Sequence, residues 1–298
     1  MSAGRTGPAS ELMLYSRAAQ SSSARIIREY STSFGMATRL IDRRLRPGIE
    51  SIYALVRIAD EIVDGAAAEA GLTTESQRVL LDALEAETEA TLQLGYSTNL
   101  VVHAFAVTAR AAGIGPDLTR PFFASMRRDL DPANFTNEQV RDYIYGSAEV
   151  VGLMCLKVFL TGVPDDPDRR QLLEHGACRL GAAFQKINFL RDLRMDWTTL
   201  HRNYFPDIDP DHLTEAEKLH LVADIEADLE AAGAAIPQLP RGCRAAVAAA
   251  HGLFGELTKR IRSAPASDLL GRRIRVPTVV KLRILLATQS PGRAVQPR

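Results

Sequence analysis

The chain has 298 residues, of which 46% are hydrophobic and 24% are charged, and its 36 basic residues balance its 36 acidic residues. This composition is typical of a soluble globular protein, and a formal net charge of zero argues against a general affinity for nucleic acids. The three cysteines, Cys155, Cys178 and Cys243, are odd in number and widely spaced, which argues against a disulfide framework or a zinc site and predicts reduced thiols in the cytoplasm.

No targeting or membrane-spanning segment is visible in the sequence. Arg5 is not followed by the apolar region of a secretory signal. Every apolar run, including residues 276–288, is broken by charge before it reaches the roughly 18 residues that a spanning helix needs. We therefore expect one cytoplasmic domain over residues 1–298, with residues 1–10 disordered and no C-terminal membrane anchor.

Apolar spacing and capping signals predict helices from the start of the chain. The first helix begins near Glu11 and reaches residue 29, and hydroxyls at Ser31 and Ser33 then interrupt it. These hydroxyls can cap the next helix or bind an anion at its start. The following helices are predicted over residues 34–44, 49–64, 76–94, 99–112 and 118–128.

The second half of the chain is predicted to be helical as well. Thr136 and Gln139 have the spacing of a capping box for a helix that reaches residue 161. Its small residues, Gly146, Ala148 and Gly152, either pack against another helix or line a pocket. The remaining helices are predicted over residues 168–197, 215–235 and 241–263 and from residue 277. The sequence therefore predicts an all-α fold, a large bundle able to hold a long apolar cavity.

Two of the predicted helices carry a pair of aspartates four residues apart, Asp60 with Asp64 and Asp192 with Asp196. Each pair lies on one helix face, where two carboxylates repel each other unless a cation compensates. Mg²⁺ is typically held by one or two carboxylates together with substrate phosphates. The pairs therefore predict a site for a diphosphate bridged by metal ions, and Arg57 and Arg191 are placed to bind its oxygens.

These motifs resemble those of the squalene/phytoene synthase family, the head-to-head prenyl transferases. The matching segments, in the family's order, are residues 31–34, 53–64, 143–152, 185–196 and 202–206. The chain departs from the family's pattern at Glu61, which replaces an Asp, and at Thr32, where some members have Lys. It also has Ser-Ala-Glu at residues 147–149 in place of Val-Ala-Gly. The resemblance covers about residues 25–285.

The resemblance implies a helical bundle of the isoprenoid synthase type with a central apolar cavity. It implies Mg²⁺ as the cofactor, with Mn²⁺ as a substitute, and the missing Gly-x-Gly-x-x-Gly fingerprint argues against NADPH. The expected metal ligands are Asp60, Asp64, Asp192 and Asp196, helped by Asn188 and Glu61. The expected catalytic residues are these four aspartates together with Arg57 and Arg191. The expected substrate contacts are Ser31, Ser33, Tyr53, Tyr143, Gln185, Asn188, Arg202, Tyr204, Arg272 and Arg273.

The reaction that the resemblance implies joins two prenyl diphosphates into a cyclopropyl diphosphate, which loses its second diphosphate and rearranges. Residues 147–155 are most similar to bacterial phytoene synthases, which predicts phytoene from two geranylgeranyl diphosphates, a step of carotenoid biosynthesis. The alternatives are a squalene or dehydrosqualene synthase that uses farnesyl diphosphate, a terpene cyclase, and a non-catalytic scaffold of the same fold.

The C-terminal part of the chain is locally basic. Residues 259–283 contain eight Lys or Arg and one acid, Asp268. This segment is either a solvated basic end or a surface for lipid head groups. Because an apolar substrate comes from the bilayer and the product returns to it, we expect peripheral membrane contact and a hand-off to downstream carotenoid enzymes.

Overall fold

The computed structural model describes residues 10–131, 135–198, 202–271 and 273–289. Within these ranges the chain forms α-helices and no β-strand, which confirms the all-α prediction. The α-helices are α1 (Glu11–Tyr30), α2 (Thr32–Thr38), α3 (Arg46–Val63), α4 (Ala66–Glu69), α5 (Thr74–Leu94), α6 (Leu100–Ala112), α7 (Pro116–Arg128), α8 (Asn137–Ile144), α9 (Val150–Phe159), α10 (Pro167–Thr198), α11 (Glu215–Ala235), α12 (Arg241–Ser263), α13 (Ala266–Gly271) and α14 (Thr278–Gln289).

Local capping sets several of these helix ends. Thr136 and Gln139 form a capping box at the start of α8, and Thr214 and Glu217 form another at the start of α11. Each box satisfies two backbone N–H groups that the first helical turn leaves unpaired. Gly95 ends α5 in the left-handed region with φ of 80°, a conformation that glycine adopts at little cost.

Two predicted helices differ from the structure. α2 ends at Thr38 instead of residue 44, because Asp42 turns the chain by accepting a hydrogen bond from Arg44 N at 2.8 Å and donating its own N–H to Gly242 O at 2.8 Å. The long helix predicted to reach residue 161 is divided into α8 and α9 by a π-helical turn, Tyr145–Glu149. The short helices α4 and α13 were not predicted.

The helices form two groups that meet across α9 and the π-helical turn. In the first group α3, α5, α6, α7 and α9 enclose a core with Phe105, Phe122 and Phe123 near its centre. In the second, α10 packs against α11, α11 against α12, and α12 against α14, around a core that includes Ile187 and Leu190. In the part of the chain that the structure describes, no helix is both long enough and apolar enough to span a bilayer.

Candidate active site

An apolar cavity of about 360 Å³ lies between α2, α3, the π-helical turn, α9, α10, α11 and α12. Its wall includes Phe34 and Phe184, whose ring centroids are 6.1 Å apart, and Phe254 stacks on Phe184 at 3.7 Å without lining the cavity. Polar side chains also line it: Thr38, Tyr53, Ser147, Gln185 and Asn188. The cavity is therefore apolar along most of its wall, with its amides supplied by α10.

The first aspartate pair lies beyond Tyr53 at the C-terminal end of α3. Asp60 Oδ2 is 2.8 Å from Arg57 Nη1, and the same guanidinium also binds Glu61. Asp64 caps the helix, and its Oδ1 lies 2.7 Å from Arg202 Nη2. Because Arg57 is one helical turn from the cavity-lining Tyr53, the pair lies just outside the cavity.

The second pair lies beyond Asn188 on α10. Asp192 Oδ2 is 2.6 Å from Arg191 Nη2, and Asp192 Oδ1 is 2.9 Å from Arg273 Nε. Burial raises the pKa of Asp196 to about 7, and the negative charges of Asp192 and Asp64 add to this shift. Arg202 connects the two pairs, because its N–H donates to Asp196 O at 2.9 Å and its guanidinium lies 2.7 Å from Asp64 Oδ1.

The donor set suits a divalent cation held jointly with phosphates. Burial raises the pKa of Asp60 to about 6, and the neighbouring Asp64 adds to this shift while Arg57 opposes it. Burial disfavours the charged form of a carboxylate, and a bound cation would offset this cost. Among the described residues no three His, Cys, Asp or Glu side chains converge as a metal cage. Mg²⁺ does not require one, because substrate oxygens and water complete its shell.

A buried polar centre lies beside the first pair and was not found from the sequence. Asp129 is 5% exposed and accepts hydrogen bonds from Tyr143 OH at 2.8 Å and Tyr204 OH at 3.2 Å. Arg202 Nη1 is 3.5 Å from Asp129 Oδ1, so one guanidinium serves both Asp129 and Asp64. Burial and the charge of Asp64 raise the pKa of Asp129 to about 8.

The sequence contained one signal for Asp129. The residue follows the last turn of α7 as its C-cap, where the partial negative charge of the helix end disfavours a carboxylate. The structure places Tyr143, Tyr204 and Arg202 around Asp129 and does not bring these three side chains to the described lining of the cavity. Their contact with substrate stays a prediction.

The remaining predicted residues have varied positions. Ser31 caps α2 by accepting a hydrogen bond from Phe34 N at 3.1 Å. The structure describes neither the side chain of Ser33 nor residue Arg272. Glu61 binds Arg57 and accepts a hydrogen bond from Ala66 N at 2.9 Å, so both of its oxygens have protein partners.

The π-helical turn gives its residues different roles. Ala148 of the turn and Gly152 of α9 line the cavity, whereas Gly146 packs against α7, where an added Cβ would lie 2.2 Å from Pro121 O. Glu149 points to Arg179 Nη2 at 3.4 Å and does not line the cavity described by the structure. Ser147 does line it, and its buried Oγ has no hydrogen-bond partner among the described residues.

Comparison with known proteins agrees with this architecture. A family model described as squalene/phytoene synthase matches residues 27–279. The chain is 28% identical to a 15-cis-phytoene synthase of Paracoccus sp. over 282 residues, 88% of each chain. It is also 28% identical to a phytoene synthase of Pseudescherichia vulneris over 286 residues, 89% of each chain.

Solved structures show the same fold. A dehydrosqualene synthase in complex with a ligand superposes with a TM-score of 0.75 at 21% identity, covering 93% of this chain and 97% of that one. A squalene synthase from Alicyclobacillus acidocaldarius superposes with a TM-score of 0.69 at 20% identity, covering 84% of this chain and 95% of that one.

Proposed function

The chain belongs to the squalene/phytoene synthase family and is a prenyl transferase; from this premise we propose that it condenses two geranylgeranyl diphosphates head to head into phytoene, with Mg²⁺ as cofactor. The observation that carries the proposal is the pair of acidic motifs, connected by Arg202, beside an apolar cavity. Relatives named phytoene synthase, at 28% identity over most of the chain, support the choice of product.

The chain's own cations support diphosphate binding. Three arginines form ion pairs with the aspartates beside the cavity: Arg57 with Asp60, and Arg191 and Arg273 with Asp192. Guanidinium groups form charge-assisted hydrogen bonds with phosphate oxygens, so these side chains are available to orient the leaving group. When bound by Asp60, Asp64, Asp192 and Asp196, Mg²⁺ would supply Lewis-acid stabilisation of the diphosphate.

The cavity wall protects the organic part of the reaction. Departure of diphosphate leaves an allylic cation, which water would quench. Apolar side chains exclude water from the cavity, and the ring faces of Phe34 and Phe184, which line it, can stabilise positive charge by cation–π interaction. The double bond of the second substrate then attacks this cation, and loss of a proton gives a cyclopropyl diphosphate. Loss of the second diphosphate, rearrangement and loss of another proton give the neutral forty-carbon product.

The deciding experiment is product analysis. Purified protein is incubated with geranylgeranyl or farnesyl diphosphate, with Mg²⁺ or with EDTA, and the extracted hydrocarbon is analysed by mass spectrometry. We expect a forty-carbon product that requires Mg²⁺ and that Asp192→Asn reduces by about 100-fold or more, since even outer partners of metal ligands cost 10–100-fold. Asp207→Asn, an exposed acid on the loop after α10, is the matched control.

The other outcomes identify the alternatives. A thirty-carbon product would place the chain with the squalene and dehydrosqualene synthases, and a cyclic product from a single diphosphate would indicate a terpene cyclase. No product, together with diphosphate affinity that does not respond to Mg²⁺, would indicate a non-catalytic scaffold.

Membrane contact belongs to the same proposal. The exposed face of α14 carries Val279, Leu282 and Leu286, which are 70%, 48% and 66% exposed. Arg275 and Arg283 lie beside this stripe, exposed and without an ion-pair partner among the described residues. An apolar stripe with flanking cations is typical of helices that lie on anionic bilayers, and contact there would deliver substrate and pass the product to downstream carotenoid enzymes.

A further inference from the structure

A surface cleft adjoins the cavity at Leu173 on α10, about five helical turns before Asp192. It has a volume of about 750 Å³ and is formed by α9, the loop after it and the N-terminal half of α10. Its charged side chains are largely engaged, since Lys157 Nζ donates to Gly113 O at 2.9 Å and Arg170 Nη1 lies 2.9 Å from Asp165. The cleft is therefore not arranged to bind a charged ligand.

The cleft and the cavity share two lining side chains. Leu156 on α9 and Leu173 on α10 line both spaces, and no other residue in the described ranges does so. They are 4% and 2% exposed. We call these two leucines the partition.

The helix backbones around the partition are already as close as they can be. A Cβ on Gly152 would lie 2.7 Å from Ala177 O, and one on Gly176 would lie 2.4 Å from the Cβ of Ala235. These contacts hold the helices in place, so the leucine side chains, which can change rotamer, are the adjustable part of the barrier between cavity and cleft.

The cavity is small for its proposed contents. Pockets for single drug-sized ligands are roughly 300–1,000 Å³, and the cavity, at about 360 Å³, is near the lower limit. Two twenty-carbon chains need more room. Because the diphosphates are placed at the acidic end, the extra length extends toward the partition.

We propose that the partition is the distal end of the prenyl-binding site, and that Leu156 and Leu173 determine the longest isoprenoid chain that the protein accepts. The cleft receives the end of the chain when the leucines are moved aside or shortened. This inference rests on the proposed function, because it requires a prenyl diphosphate in the cavity.

The test measures binding, so it does not depend on turnover. Prenyl thiolodiphosphates with fifteen, twenty and twenty-five carbons are titrated into the wild type, Leu156→Ala, Leu173→Ala and the double variant. We expect the double variant to raise the affinity for the twenty-five-carbon analogue, relative to the twenty-carbon one, by about tenfold, with smaller gains in the single variants. Leu160→Ala is the matched control, because Leu160 lines the cleft but not the cavity, and it should leave this ratio unchanged.

A second variant tests the opposite direction and covers the case in which the double variant fails to fold. Leu156→Phe narrows the distal end, and we expect it to weaken binding of the twenty-carbon analogue while sparing the fifteen-carbon one. If affinity depends on the chain length of the analogue in the same way in the wild type and in all folded variants, the inference is overturned while the proposed function stands. Failure of every analogue to bind the wild type would overturn the proposed function and the inference with it.

Discussion

Asp129 shows how one residue ties the acidic site to the protein core. Its carboxylate is buried among Tyr143, Tyr204 and Arg202, and Arg202 continues to Asp64. Asp64 is a proposed metal ligand, so the position of Arg202 affects the charge that Asp64 presents. Asp129 is therefore a positioning residue for the first acidic pair, although it does not line the cavity.

Removing this carboxylate should destabilise the fold. We expect Asp129→Ala to lower the free energy of unfolding by about 1–3 kcal/mol, because it leaves the buried hydroxyls of Tyr143 and Tyr204 without the acceptor that they share. Asp131→Ala is the matched control: Asp131 is 59% exposed and pairs with Arg78 at 2.7 Å, so its loss should cost no more than about 1 kcal/mol. Urea unfolding measures both, and equal effects would contradict the role given to Asp129.

Asp129 should also make stability depend on pH. Burial and the charge of Asp64 raise its pKa to about 8, so the folded chain keeps a proton that the unfolded chain loses near pH 4. The stability that this proton contributes is complete below about pH 4 and is lost as the pH rises toward about 8. We expect the free energy of unfolding to fall across this window less steeply in Asp129→Asn than in the wild type. Identical slopes in urea unfolding at several pH values would refute the assignment.

At the scale of single elements, the π-helical turn Tyr145–Glu149 sets how α7, α8, α9 and α10 meet. Gly146 lets α7 approach, since an added Cβ would lie 2.2 Å from both Pro121 O and Ser125 Oγ. The residues after it, Ser147 and Ala148, line the cavity. The turn therefore combines close packing on one side with a binding surface on the other.

A pair of glycine substitutions tests this reading of the turn. We expect Gly146→Ala to lower the free energy of unfolding by about 1–3 kcal/mol, because the methyl group overpacks the contact with α7. Gly255→Ala on α12 is the matched control: an added Cβ there meets nothing within 4 Å, and alanine should raise helix stability by about 0.5–1 kcal/mol. Thermal unfolding measures the stability of both variants. If Gly146→Ala is as stable as the wild type, α7 can move away from the turn.

At the scale of the whole molecule, charge and apolar surface are separated. The acidic pairs lie beside the cavity, the partition lines it at Leu173, about five helical turns before Asp192, and the exposed apolar stripe lies on α14. Arg273 joins two of these features, because it precedes α14 in the chain and contacts Asp192 at 2.9 Å. The proposed lipid surface is therefore close in the chain to the proposed diphosphate site.

Membrane contact can be tested on this stripe. We expect Val279→Ser with Leu286→Ser to reduce the fraction bound to anionic liposomes by about tenfold, because less apolar area is buried in the interface. Raising the salt concentration should weaken wild-type binding by screening the cations. Leu94→Ser on α5, where Leu94 is 77% exposed, should have no effect in co-sedimentation. Identical partitioning with and without anionic liposomes would exclude the contact.

The sequence by itself determined the helices and the acidic motifs, because both depend on residues within one or two helical turns. Capping boxes at Thr136 and Thr214 and the four-residue spacing of Asp192 and Asp196 are local patterns, and the helical class and the pairing of aspartates on one helix followed from them.

Only the tertiary structure decided which groups meet across the chain. Arg202 reaches Asp64, 138 residues away, and Tyr204 reaches Asp129, 75 residues away. The partition likewise joins leucines from two helices. The periodicity of the sequence does not predict such contacts, since they arise from packing between helices. The π-helical turn likewise interrupts a regular apolar pattern at the point where α7 approaches Gly146.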